Sequence, residues 1–362
     1  MGTLMSRHKW LWLTLITILV PGMNLLIHWR IFMFLRDGSL TPILYGILAI
    51  IWGVVGVYTI YLSLNWVVEQ YSVKWRQRIQ PLVFVAPALI LLGWLLLYPT
   101  VRTLIFSFMD AGSVDFVGFS NYIAVFTNRL LLSALRNNLL WVILGTFLCV
   151  SLGLLIAVLA DRSSFEKLAK SIIFMPMAIS MVAAGVIWKF VYYYKPGDEQ
   201  IGLLNAIVVA LGGEAQAWAS FSQPWNNLFL IVILIWMETG FAMVLLSAAI
   251  KGIPEESLEA ARMDGASEIT IFFRIMIPYM KTTILSVTTT IIVFTLKIFD
   301  VVMVMTGGQY DTDVVATQFY RQFFMYRNNG YGATLAIVLL IAIIPVLIFN
   351  LRQMRKQGGG FS

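Results

Sequence analysis

Glu259-Ala-Ala-Arg-Met-Asp-Gly265, followed by Ile275 and then Ile277-Pro278, lies in one of the few polar stretches of an otherwise apolar chain. Pro254 suits a first helical turn, where its missing N–H costs nothing, and Glu255, Glu256 and Glu259 put negative charge near the positive end of the helix dipole. Gly265 is a natural C-terminal stop after Asp264. A helix from Pro254 to Asp264 would be about 16 Å long at roughly 1.5 Å per residue, too short to cross a bilayer. Its place is the membrane surface or the cleft of a partner. Ala260 and Ala261 expose little side chain and let another surface come close, while Leu258 and Met263 offer flexible apolar contact. Such a helix suits mechanical docking better than catalysis.

The surroundings of this segment are those of a membrane protein. Hydrophobic residues make up 60% of the 362-residue chain and charged residues 12%, and the mean hydropathy is +0.85, far from a soluble domain. The formal charge of +7 would suggest nucleic acid in a soluble protein, but the basic residues collect at the ends of apolar runs, which is a mark of topology, so no nucleic-acid partner is expected. Cys149 is the only cysteine and lies in an apolar run, and His8 and His28 are isolated, so no disulfide framework or metal site is expected within the chain. The chain has no GxxxxGK[ST] element and so no phosphate-binding loop of its own.

Apolar stretches of membrane-spanning length occur near Leu11 to Trp29, Ile43 to Val68, Leu82 to Val101, Leu139 to Ala160, Ser171 to Tyr193, Leu228 to Ile250, Thr283 to Met305 and Ala333 to Leu351. The expected fold is all-α and polytopic, with about eight transmembrane helices. The first stretch, interrupted by Pro21 and Gly22, lacks a small-residue cleavage site and reads as a retained helix. With the N-terminus in the cytoplasm, most of the 25 Lys and Arg residues fall inside, among them Arg7, Lys9, Lys74, Arg162, Lys170, Lys251, Arg262, Lys281 and Arg352. That bias puts both termini and the Glu259 loop on the cytoplasmic side.

Polar groups within the apolar runs are few. Glu238 sits in the middle of Leu228 to Ile250, and Lys297 and Asp300 lie one turn apart in Thr283 to Met305. An uncompensated charge at the bilayer centre costs on the order of 2.5 to 3.5 kcal/mol, so these side chains should face protein or a water-filled cavity. Two uses fit them: a Lys297 to Asp300 pair with Glu238 as a cross-helix partner, or a polar wall for the hydroxyls of a solute, completed by Thr295 and by the rings of Trp236 and Phe241. Trp188 and Tyr192-Tyr193-Tyr194 read as interface aromatics or as a solute-stacking entrance, Ala183, Ala184 and Gly185 as a close-packed seam, and Asn137 and Asn138 as caps of the helix that follows.

The Glu259 segment resembles the EAA signature of binding-protein-dependent ABC importer permeases: Glu-Ala-Ala, three residues, Gly, nine residues, Ile, one residue, Leu-Pro. Glu259, Ala260, Ala261, Gly265, Ile275 and Pro278 match at that spacing, and Ile277 replaces the usual Leu at similar size and hydrophobicity. Residues 81–362 resemble the six-span core of type I carbohydrate importer permeases of the maltose group. The matching pieces include Pro87-Ala88, Tyr98-Pro99, Gly118-Phe119-Ser120-Asn121-Tyr122, Ile253-Pro254-Glu255-Glu256, Phe299-Asp300 and Thr306-Gly307-Gly308. Residues 1–80 then form an appended two-helix hairpin, as in the larger subunit of the maltose-type pair. The large outer-loop domain of that subunit is absent, since Val101 to Asn138 is too short for it. Leu296-Lys297-Ile298-Phe299-Asp300 is most similar to permeases for alpha-glucosides, with glucosylglycerol among the candidate solutes.

The resemblance implies a transport subunit without catalytic residues in the bacterial inner membrane. It also implies a second homologous permease, two cytoplasmic ATPase subunits or domains carrying ATP and Mg, an extracytoplasmic solute-binding protein, and lipid around the spans. No cofactor is expected in this chain. The implied ATPase contact runs over about 251–280, through Glu255, Glu256, Glu259, Ala260, Ala261, Asp264, Gly265, Ile275 and Pro278, and drives alternating access. The rival reading, an ion-coupled secondary transporter of a polar solute relaying protons through Glu238, Lys297 and Asp300, leaves the spaced loop unexplained.

Overall fold

A computed structural model describes residues 2–38, 41–161, 163–197 and 201–358. Among these the chain is helical, and the single β-type contact is an isolated bridge between Met109 and Phe116. Seven of the described helices are long and apolar enough to cross a membrane, and a bent pair brings the number to eight when it is counted as one broken span. The chain divides into two compact units between Val101 and Arg102.

The first unit holds α1 (Gly2–Asp37), α2 (Pro42–Glu69) and most of α3 (Val73–Phe106). α1 runs unbroken through Pro21, because a membrane helix has no water to compete for its remaining backbone bonds. His28 Nε2 and Thr59 Oγ1 lie 2.8 Å apart between α1 and α2, and the Tyr61 hydroxyl donates to the Phe84 carbonyl between α2 and α3. The expected hairpin is therefore joined by a third helix that continues through residues 80 and 81 without interruption.

In the second unit α4 (Ser120–Thr127) precedes the membrane helix α5 (Arg129–Asp161). The bent pair is α6 (Glu166–Ala178) and α7 (Met181–Val191), followed by the short α8 (Leu203–Ala210) and the membrane helix α9 (Trp225–Lys251). The Glu259 segment is α10 (Glu255–Met263). It leads to α11 (Glu268–Leu296), the short α12 (Asp300–Met305) and α13 (Val315–Tyr320), and the last membrane helix α14 (Asn329–Gly358). α9 is the most enclosed of these spans, and α5, α6, α7 and α11 pack against it. Its Leu230, Leu234, Met243 and Leu246 join Trp141 and Cys149 of α5 and Ile291 of α11 in one core. Large apolar side chains elsewhere on the spans are exposed, as a lipid-facing surface requires.

Three expectations are corrected. The stretch Ser171 to Tyr193 is no single helix: α6 and α7 meet at 104°. Pro176 lies in a tight 3₁₀ turn, Ile179 is extended, and Ser180 starts α7 by accepting a hydrogen bond from the Ala183 amide. The stretch Thr283 to Met305 is likewise interrupted, because α11 starts earlier, at Glu268, and ends at Leu296, with Lys297 as its C-cap and Phe299 as the N-cap of α12. Finally, Asn137 and Asn138 cap nothing at their own helix's start. α5 begins at Arg129 behind the N-cap Asn128, which accepts from the Leu130 amide, and the two amides lie inside it.

The seam anticipated at Ala183, Ala184 and Gly185 is present. A Cβ on Gly185 would come within 2.9 Å of Val304, so α7 and α12 pack at the closest range.

Candidate functional site

The Glu259 loop forms a short helix with a defined stop. Pro254 precedes α10 as its N-cap, one position earlier than its sequence suggests, and Glu255 and Glu256 occupy the first turn. At the other end the Gly265 amide donates to the Arg262 carbonyl and the Ala266 amide to the Ala261 carbonyl, both at 3.0 Å, the paired bonds of a Schellman stop. Gly265 has φ +79° with open space where a Cβ would stand, so the backbone angle alone demands glycine.

Leu258 and Ala261 turn inward against the core, and Ile253 and Ile275 anchor the two ends. Glu255, Glu256, Glu259, Ala260, Asp264 and Gly265 are exposed, and Met263 is 88% exposed. Pro278 is exposed in the first turn that follows a π-helical stretch, Phe272–Met276. The loop is braced within itself by Arg262 Nε to Glu268 Oε1 at 2.9 Å and from α11 by the Tyr279 hydroxyl, which donates to the Gly252 carbonyl at 3.1 Å. The arrangement offers a carboxylate-bearing, small-residue face on a fixed frame.

The polar residues expected inside the membrane part company. Glu238 is 5% exposed near the middle of α9, and its Oε2 has no hydrogen-bond partner. Trp236 meets the Trp188 ring edge-on at 5.8 Å, and Phe241 is half-buried one turn below Glu238. Thr295 is fully enclosed and donates to the Ile291 carbonyl of its own helix. Lys297 is exposed, with Nζ 5.9 Å from the Phe294 ring centre, and Asp300 opens α12. The expected Lys297 to Asp300 pair does not form, nor does either residue pair with Glu238. The helix break between them destroys the spacing on which that pair depended.

Tyr192 is buried and donates to the Phe229 carbonyl, within a cluster of Trp188, Trp218, Phe221, Phe229 and Trp236. It is a packing residue of the unit, while Tyr193 and Tyr194 are exposed.

A polar network absent from the sequence reading lies at the end of the unit away from the Glu259 loop. Asn137 Nδ2 donates to the Asp311 and Asp313 carbonyls at 2.7 and 2.8 Å, and Gln223 and Asn226 reach the carbonyls of Asp311 and Tyr310. Asn227 accepts from Trp141 Nε1 at 3.0 Å. The Asp313 carboxylate accepts from Thr317, Gln318 and Arg321, and burial raises its pKa despite the Arg321 charge beside it. The loop 306–314, which contains four residues at positive φ, is thus held by side chains from α5 and α9. The adjacent amide pairs Asn137-Asn138 and Asn226-Asn227, set beside apolar runs, were the available signal.

Known proteins share this architecture and sequence. An osmoprotective compounds uptake permease protein, GgtC, from Synechocystis sp. is 52% identical over 276 residues, covering 76% of this chain and 99% of the relative. The alpha-glucoside transport system permease protein AglF from Rhizobium meliloti is 47% identical over 297 residues, covering 81% and 88%. Among solved structures, a chain of a bacterial ABC transporter that imports alginate superposes with a TM-score of 0.67 at 20% identity, over 77% of this chain and 96% of that one, a likeness of fold. Residues 149–356, which include the Glu259 loop and the spans flanking it, match the profile of the binding-protein-dependent transport system inner membrane component. The chain belongs to that family: it is a multi-pass permease subunit of an ABC importer, and the ATPase activity resides in partner subunits.

Proposed function

We propose that this permease carries a glucoside or a similar polyhydroxylated solute, such as an osmoprotective glucosylglycerol, across the bacterial inner membrane. The reading is supported by the names of the relatives, which span nearly the whole of the permease core. The observation that carries it is the buried, unpartnered Glu238 Oε2, with Phe241 one turn along the same face of α9. An unpaired buried acceptor costs roughly 1–3 kcal/mol, and a sugar hydroxyl satisfies it while a ring face packs on Phe241 or Trp236. Glu238 is enclosed here, so solute reaches it only when the surrounding helices part.

In this account the chain works with a second homologous permease, an extracytoplasmic solute-binding protein and two ATPase subunits that bind ATP and Mg. Both termini and the Glu259 loop face the cytoplasm. Closure of the ATPase pair displaces α10, and the membrane helices alternate between inward and outward openings. Each state is favoured only by the contacts it alone makes. Glu255, Glu256, Glu259, Ala260, Ala261, Asp264, Gly265, Ile275 and Pro278 form or support the contact with the ATPase. Trp236, Glu238 and Phe241 line the solute path. Thr295, Lys297 and Asp300 border it where α11 breaks.

The test is uptake by the reconstituted transporter with its native binding protein and a panel of disaccharides, trehalose and glucosylglycerol. Glu238→Gln and Phe241→Ala should raise the half-saturation or change the order of preference, with assembly and basal ATP hydrolysis intact. Unchanged uptake of every solute by both variants contradicts the assignment.

A further inference from the structure

Four charged side chains meet where three membrane helices end beside the Glu259 loop. Asp161 closes α5, Glu166 and Lys170 stand one turn apart at the start of α6, and Lys251 is the last residue of α9, directly before Gly252. Lys251 Nζ lies 2.5 Å from Glu166 Oε1 and 3.6 Å from Asp161 Oδ1. Lys170 Nζ bonds the same Glu166 oxygen, lies 3.8 Å from Asp161 Oδ1, and donates to Ser247 Oγ on α9. Each cation therefore touches both anions, and the cluster closes on itself.

An isolated ion pair at a surface is worth little, but this is a network. Three of its members are largely shielded, with side-chain exposures of 25% for Asp161 and Glu166 and 17% for Lys170. Its position gives it leverage. Lys251 is separated from α10 by only Gly252, Ile253 and Pro254, and Glu166 begins the helix that runs into the 104° bend. Within α6, before that bend, the Ile173 backbone lies against Gly240, where a Cβ would stand 2.5 Å from the Ile173 oxygen. The path from loop to broken span thus runs through charges at one end and bare backbone contact at the other.

We propose that the Asp161–Glu166–Lys170–Lys251 cluster is the link by which a displacement of the Glu259 loop moves the broken span, with Lys251 and Glu166 as positioning residues for transport. The proposal rests on the reading of that loop as the ATPase contact. Breaking the cluster lets α9 and α10 move without carrying α6. ATP is then hydrolysed without a matching movement of solute.

The test uses the full transporter in proteoliposomes with its binding protein, and compares Lys251→Glu, Glu166→Lys and the double exchange. Each single reversal leaves three like charges in the cluster, whereas the double exchange restores two of each sign. The singles should assemble and keep basal ATP hydrolysis, but lose about five-fold or more in solute imported per ATP hydrolysed, the lower end of ordinary coupling between sites. The double exchange should recover most of that ratio, which a purely structural role at the helix ends would leave unchanged in all three.

Lys251→Gln, which removes the cation without reversing it, carries the test should reversal block assembly. A wild-type ratio in the assembled Lys251→Gln protein, or a double exchange that assembles yet stays as poor as the worse single, overturns the proposal. Glu259→Lys measured alongside separates the two readings: impaired coupling there with a wild-type ratio in the assembled cluster variants refutes the cluster alone, whereas normal transport there refutes the loop contact and, with it, the proposal that rests on it.

Discussion

Asn138 joins two helix ends through one side chain, donating from Nδ2 to the Leu296 carbonyl at 3.2 Å and accepting at Oδ1 from the Val315 amide at 2.7 Å. The first is one of the orphan carbonyls at the end of α11, and the second is an orphan amide at the start of α13. A single buried amide on α5 thereby fixes both sides of the segment in which the membrane helix stops and the 306–314 loop begins.

Replacing Asn138 by Leu should leave both backbone groups unpaired at a cost of about 1–3 kcal/mol each. The expected result is a lower thermal midpoint of the purified protein and faster proteolysis within 297–314, with Asn138→Asp intermediate because it retains an acceptor for Val315. Limited proteolysis of the two variants checks the order.

Gly240 has no room for a side chain, since a Cβ would lie 2.5 Å from the Ile173 oxygen and 2.7 Å from the Phe174 Cα, both backbone atoms. Gly240→Ala should destabilise by roughly 1–3 kcal/mol through overpacking, and Gly240→Val by more. Uptake should fall in step with a changed accessibility of cysteines placed at the α6–α7 bend. Wild-type stability in Gly240→Val would show that α9 and α6 do not approach as described.

Lys297 is exposed and makes no ion pair, so Lys297→Met should insert and fold normally, within about 0.5 kcal/mol of the parent as for other surface changes. Had Lys297 paired with a buried carboxylate, the same change would have been strongly destabilising. Folded yield and thermal midpoint in detergent separate the two cases.

Asp110 gives the 107–122 loop a pH dependence. Its Oδ1 accepts from the Val114 amide at 2.7 Å and the Asp115 amide at 3.2 Å, and these bonds hold its pKa below the ordinary 3.8. A carboxyl lowered on folding contributes stability above its unfolded pKa and loses it as pH falls through the folded value. Protection of the Val114 amide from hydrogen exchange, corrected for intrinsic rates, should be flat from neutrality to about pH 4 and then decline. A decline beginning near neutrality would contradict this origin.

Much of this architecture was legible in the sequence, because membrane helices announce themselves by long apolar runs and α10 by its Pro254, its early carboxylates and Gly265. The failures share a cause. The run from Ser171 to Tyr193 stays apolar through Pro176 and Ser180, so hydropathy passes over a bend that proline geometry and a serine cap impose. The Lys297 to Asp300 pair assumed an unbroken helix, yet the break at Lys297 is fixed from outside by Asn138. Asn137 read locally as a cap, whereas its partners lie 174 and 176 residues away, a distance that no local pattern encodes.

The central claim is that the Glu259 loop transmits the work of partner ATPases. Gly265→Val forces a β-branched residue to φ +79°, and Glu259→Lys reverses charge on the exposed face of α10. The decisive measurement is binding-protein-stimulated ATP hydrolysis and solute uptake by reconstituted transporters carrying either variant, at matched membrane insertion. The account predicts that both activities fall together while the solute preference of any residual uptake is unchanged. Wild-type stimulation and uptake in both variants would contradict it.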